Sequence, residues 1–146
     1  MSSEHEEVRA LLSELGGKIK ESRAELDGQG IGNALYGMQH MSSLHEEVRA
    51  LLSELRRKIK ESRDELDGQG IGNALYGIQH MSSEHEEVRA LLSELRGKIK
   101  ESRGELTGQN IRNALYGIQH MSSEHEEVRE LLSVLLSVIA KSEKLR

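Results

Sequence analysis

The chain is 146 residues long, with no Cys, Pro, Trp or Phe and a net charge of −5. Without Cys it has no disulfide, thiolate metal site or cysteine nucleophile, so packing alone must hold the fold. No apolar run reaches the length of a membrane span, and the opening Met-Ser-Ser-Glu-His-Glu-Glu is not a basic-then-apolar leader, so a soluble, unexported protein is expected, cytoplasmic or recombinant.

Self-similarity organises the rest. Residues 1–40, 41–80 and 81–120 are three copies of one unit, and 121–146 is a partial fourth. The first two copies differ only at Glu4/Leu44, Gly16/Arg56, Gly17/Arg57, Ala24/Asp64 and Met38/Ile78. Near-identity of this kind, with Met1 in the repeat position of Met41, Met81 and Met121, is expected of recent duplication or of an engineered or excised array.

The first element of each unit is a helix. Val8, Leu11, Leu12, Leu15, Ile19 and Leu26 recur at spacings of three, four and seven among charged residues, which predicts helix A over roughly 4–25. Ser3 with Glu6 three residues later reads as a capping box, with Glu4, Glu6 and Glu7 at the positive end of the helix dipole and Lys18, Lys20 and Arg23 at the other. Asp27, Asp67 and Thr107 then stand at one equivalent position as N-caps of a second helix, B, over roughly 28–40, with Ile31, Ala34, Leu35 and Met38 as its apolar stripe. One A–B hairpin cannot bury both stripes, whereas stacked hairpins can. The predicted fold is all-α: a right-handed α-solenoid of seven helices in the order A-B-A-B-A-B-A, one continuous domain. A coiled coil is the weaker alternative, because the heptad stripe stops at each B helix.

Helix B places Gln29, Asn33, Tyr36 and His40 on one face, repeated as Gln69, Asn73, Tyr76 and His80, and as Gln109, Asn113, Tyr116 and His120. Amides can bond base edges and an aromatic ring can stack on them. The same residues could instead serve packing, with Tyr between adjacent B helices. Gly37, Gly77 and Gly117 lie on the flank of this helix, where small residues permit close approach. Positions 30 and 32 vary, becoming Asn110 and Arg112 in the third unit. Net charge per unit runs −3, −1, 0 and −1, and stacking would align Lys18 and Lys20 with Lys58 and Lys60, then Lys98 and Lys100. Such a stripe could track phosphates, or could simply solubilise helix A through pairs four residues apart.

Histidines cluster at the unit junctions, as His40/His45, His80/His85 and His120/His125, but no fixed carboxylate motif accompanies them, and neither a metal site nor another cofactor is expected. Three equivalent copies of every group also offer no unique nucleophile and base, so no catalytic residues are expected. The last helix departs from the pattern. Val134, Leu136 and Val138 replace Glu14, Gly16 and Lys18, widening the apolar arc where a terminal helix should become more polar. These three residues are candidates for self-association, most simply as a two-fold dimer; the alternative is that they fold back on the end of the same solenoid.

The strings LDGQGIGNALYGMQHM at 26–41 and EVRALLSELGGKIKES at 7–22 resemble the octatricopeptide repeat family of organellar and bacterial proteins. That family's unit of about 38–40 residues is a helical hairpin whose second helix reads approximately Pro-Gln-x-x-Ala-Asn-x-Leu-Trp-Ala-Leu. Gln29, Asn33, Leu35, Tyr36 and Gly37 occupy the matching places, with Tyr for Trp, Gly for Pro and Gly32 for Ala. The resemblance implies sequence-specific binding of single-stranded RNA, with readout at positions 30 and 32, 70 and 72, and 110 and 112. Two functions therefore stand side by side. One is a non-enzymatic interaction scaffold that self-associates through its last helix, and the other is an RNA-binding module using Gln29, Asn33, Tyr36 and their equivalents, Arg112, and Lys58, Lys60, Lys98 and Lys100.

Overall fold

The computed structural model describes residues 1–142, and among them the chain forms seven α-helices and no strands. The A helices are α1 (Glu6–Glu21), α3 (Glu46–Glu61), α5 (Glu86–Glu101) and α7 (Glu126–Lys141). The B helices are α2 (Gly28–Tyr36), α4 (Gly68–Gly77) and α6 (Gly108–Ile118). Each A helix packs on the next A helix and each B helix on the next B helix, which makes a helical-repeat solenoid of two parallel columns. The core runs between the columns. In the second unit it takes Val48, Leu51, Leu52, Leu55 and Ile59 from α3 and Ile71, Ala74 and Leu75 from α4. Each buried Val, Leu or Ile side chain contributes about 1.5–3 kcal/mol by leaving water.

Two glycines set the spacing of the B column. A Cβ added to Gly77 would stand 1.8 Å from the Leu35 carbonyl oxygen, and one on Gly117 would stand 1.8 Å from that of Leu75. Gly37 has no preceding B helix, and a Cβ there would approach nothing nearer than the Asn33 carbonyl of its own helix, at 3.4 Å.

The B-helix caps form as the sequence predicts. Asp27 and Asp67 each accept a 2.7 Å bond from the N–H three residues on. Thr107 accepts from Asn110 N–H while the Asn110 side chain accepts from Thr107 N–H, closing a reciprocal box. Asn110, the third unit's variable residue, is therefore turned into its own helix start.

The A-helix boundaries differ from the expectation. Each A helix begins at the Glu after a His, with no side-chain cap, and the Ser3–Glu6 box does not form. Ser3 Oγ instead accepts from Ser42 N–H at 2.9 Å and lies 2.8 Å from His45 Nδ1, both in the next unit. The helices end at 21, 61 and 101 rather than near 25, because the segment that follows runs extended and finds its partners across the repeat boundary. Lys58 Nζ donates to the Ser22 and Ala24 carbonyls at 2.7 Å each, and Ser62 Oγ donates to that of Leu26. The B helices also stop short of residue 40, at 36, 77 and 118, and turns lead into the next unit.

Candidate interaction surfaces

The uncharged polar residues of the B column line shallow clefts between successive helices. Gln29, Asn33, Gln69 and Asn73 border one of about 300 Å³, and Gln69, Asn73, Gln109 and Asn113 border another of about 550 Å³. These amides face solvent wholly or in part, and the only side-chain bond they make to one another is Gln109 to Asn113 at 3.1 Å. Arg112 turns back on its own helix, donating to Gln109 Oε1 at 2.8 Å.

The tyrosines do something different. Tyr36 stacks on Tyr76 and Tyr76 on Tyr116, with ring centroids 5.5 and 5.4 Å apart and planes inclined by 22°. Both faces of Tyr76 are covered by its neighbours, so a base could stack only at the ends of the ladder. The rings act first as spacers between B helices, each contact being worth about 0.5–1.5 kcal/mol beyond its buried area. Tyr76→Ala removes two such contacts and is expected to lower stability by about 2–4 kcal/mol. Chemical unfolding followed by circular dichroism checks this, and a loss no larger than that of Tyr116→Ala would show that the ladder is not energetically continuous.

The lysines of the A column divide into two sets. Lys60 and Lys100 are exposed, but Lys58 and Lys98 are buried and do not belong to a surface stripe. Lys98 Nζ donates to the Ser62 and Asp64 carbonyls at 2.6 and 2.7 Å, just as Lys58 serves the preceding unit. Arg57 is also engaged. Its guanidinium bonds Glu54 and Glu61 and reaches the Ile19 and Lys20 carbonyls, and the Glu54 carboxylate holds it above its ordinary pKa against some desolvation. Repeat-to-repeat ion pairs, Arg9–Glu47, Arg49–Glu87 and Arg89–Glu127, absorb further charge at 3.7–3.9 Å. The basic side chains thus serve junctions between units more than a continuous phosphate track. No change of letter separates the two sets, because Lys recurs at positions 18 and 20 of all three full units and both positions lose it in the fourth, as Val138 and Ala140. Lys18 is itself exposed, since the bonds that bury Lys58 and Lys98 need a preceding unit.

Residues Val134, Leu136 and Val138 do not act as one face. Val134 and Val138 are half-buried against the core and line a cleft of about 670 Å³ beside Arg96, Lys100 and Ser102. Leu136 projects into solvent with Leu132. Leu11 and Leu15, at the opposite end of the A column, are exposed as well. Sequence reasoning missed that second apolar end because the same letters are core residues in every other unit; only position in the array distinguishes them.

At the junctions, His45, His85 and His125 each lie 2.8–3.1 Å by Nδ1 from the serine hydroxyl of the preceding unit. Among the described residues no three His, Asp or Glu side chains converge as metal ligands would, and no helix is long and apolar enough to cross a membrane. Comparison with family models, with curated proteins and with solved structures finds no match to this chain.

Proposed function

We propose that this chain is a structural interaction scaffold, a non-enzymatic repeat array of engineered or excised type that self-associates through α7. The observation that carries the reading is the fate of one leucine. Leu12, Leu52 and Leu92 are buried by the following A helix, while Leu132, their counterpart on α7, is exposed beside Leu136. Exposed neighbouring leucines on an otherwise charged surface favour burial against a second surface. Sedimentation velocity over a wide concentration range tests this. The expected result is a mass that rises with concentration above 16.4 kDa and returns to 16.4 kDa in Leu136→Glu. A wild-type chain that stays at 16.4 kDa throughout would overturn it.

The alternative, a single-stranded RNA module of octatricopeptide type, draws support from the solvent-facing Gln and Asn residues in the B-column clefts. It is weakened by the closed tyrosine ladder and by the withdrawal of Lys58 and Lys98 into the structure. Titration with short single-stranded RNA at two salt concentrations separates the readings, since saturable, salt-sensitive binding would favour the module.

A further inference from the structure

We infer that copies of this chain join head to tail, with the outer face of α7 in one copy seated on the outer face of α1 in the next, in the register the A column already uses inside each chain. The inference rests on the self-association proposed above and specifies its partner surface.

The A–A junctions inside the chain share one set of parts, except that Val138 takes the lysine's place at the third. Leucines from the two helices meet at its centre. Ser3, Ser43 and Ser83 accept from the N–H of Ser42, Ser82 and Ser122 at 2.8–2.9 Å. A histidine from the following unit rests on the same hydroxyl, an Arg–Glu pair crosses the boundary, and the lysine ammonium of α3 or α5 reaches back to two carbonyls.

The two ends of the chain carry the two halves of this junction. On α1, Leu11 is 52% exposed where its counterpart Leu51 is 3% exposed, and His5, Glu7 and Lys18 all face solvent. On the α7 side, Leu132 and Leu136 are exposed, and Ser123 is exposed where Ser3, Ser43 and Ser83 are buried. Among the described residues Arg129 has no carboxylate partner, whereas Arg9, Arg49 and Arg89 each pair with a Glu of the next unit.

Bringing α1 of a second copy onto α7 completes the set. Ser123 meets Ser2 N–H and His5, Arg129 meets Glu7, Lys18 meets the Ser142 carbonyl, and Leu132 packs on Leu11 and Leu15. Leu136 stands where Arg96 reaches Glu130, and across the joint it meets Ala10, which holds the place of Glu130. A two-fold joint of α7 with α7 would bury Leu136 but leave the Ser2, His5 and Glu7 half open.

The B column does not take part. Among the described residues no B helix follows α7, so with α1 of the next copy seated on α7 that copy's α2 stands one repeat beyond the place beside α6. The joint is therefore carried by the A column alone. Because its two faces differ, it is heterologous, and it propagates as a filament or closes as a ring.

Two variants test this. Leu11→Glu/Leu15→Glu removes the α1 face, and Leu132→Glu/Leu136→Glu removes the α7 face; all four side chains are exposed, and unchanged helicity confirms folding. In sedimentation each variant alone is expected at 16.4 kDa, while an equimolar mixture forms a complex of twice that mass and no larger. Should the α1 variant still associate by itself, with no complex specific to the mixture, the head-to-tail joint is overturned and α7-mediated self-association survives. A wild-type chain that never exceeds 16.4 kDa overturns both. Because the chain has no Cys, a second readout leaves the leucines untouched: Ser2→Cys and Ser123→Cys variants, mixed and oxidised, should yield mainly the mixed disulfide. A predominance of the Ser123→Cys homodimer would again overturn the joint.

Discussion

Gly117→Ala and Gly77→Ala are each expected to destabilise the array by about 3 kcal/mol or more, whereas Gly37→Ala leaves stability unchanged or raises it by up to about 1 kcal/mol. The three glycines sit in the same Ala-Leu-Tyr-Gly string, so intrinsic helix propensity favours Ala at all of them to a similar degree. What differs is the neighbour. At 77 and 117 a methyl group would meet backbone of the preceding B helix, at 1.8 Å from a carbonyl oxygen and 2.7 Å from the next nitrogen. Backbone cannot swing aside as a side chain does, so the B helices must separate, and the tyrosine ladder and the Leu35 and Leu75 contacts loosen with them. At 37 no such helix is present. Chemical denaturation of the three variants side by side measures the contrast, and equal midpoints would show that the B column does not hold this close spacing.

Lys98→Met is expected to cost about 2–4 kcal/mol, because it leaves two inward-facing carbonyls without a donor. The methionine preserves the length and apolar stem of the lysine, so packing changes little and the loss reports mainly on the ammonium. A lysine of this kind would ordinarily be placed on a solvated helix face. Here its stem crosses the A–A junction, and its head satisfies the extended segment that ends the preceding A helix. The reverse substitution, Val138→Lys, restores a donor facing the Ser102 and Gly104 carbonyls and is expected to raise the unfolding midpoint. If Lys98→Met behaves like Lys100→Met, whose parent side chain is exposed, the buried bonds contribute nothing measurable.

Features governed by local chemistry were legible in the sequence. The 40-residue period, the two apolar stripes and the B-helix caps at Asp27, Asp67 and Thr107 depend on residues within a few positions of one another, and they appear where expected. The misplaced A-helix ends have a different origin. Ser3 carries the local signature of a cap, but its hydroxyl is taken by the next unit, some 39 residues away, and no window of one helix length contains that partner. The same holds for Lys58 and Lys98, whose acceptors lie 34 and 36 residues back.

The tyrosines posed a choice between stacking on a ligand and stacking on one another, and the close approach at Gly77 and Gly117 brings the rings together. The candidate self-association surface was half legible. Leu136 announces itself by a change of letter, while Leu11 and Leu15 carry no change at all. Their exposure follows from the position of α1 at the end of the column, which composition does not encode.

The most direct test of the claim that the two ends are halves of one interior junction is amide hydrogen exchange at low and high protein concentration. Exchange reports local opening, and a joint should suppress it only where the joint forms. Raising concentration is expected to increase protection in α1 around Leu11–Leu15 and in α7 around Leu132–Leu136 together, while α4 stays unchanged. Protection gained by α7 alone, or by neither helix, would contradict the account.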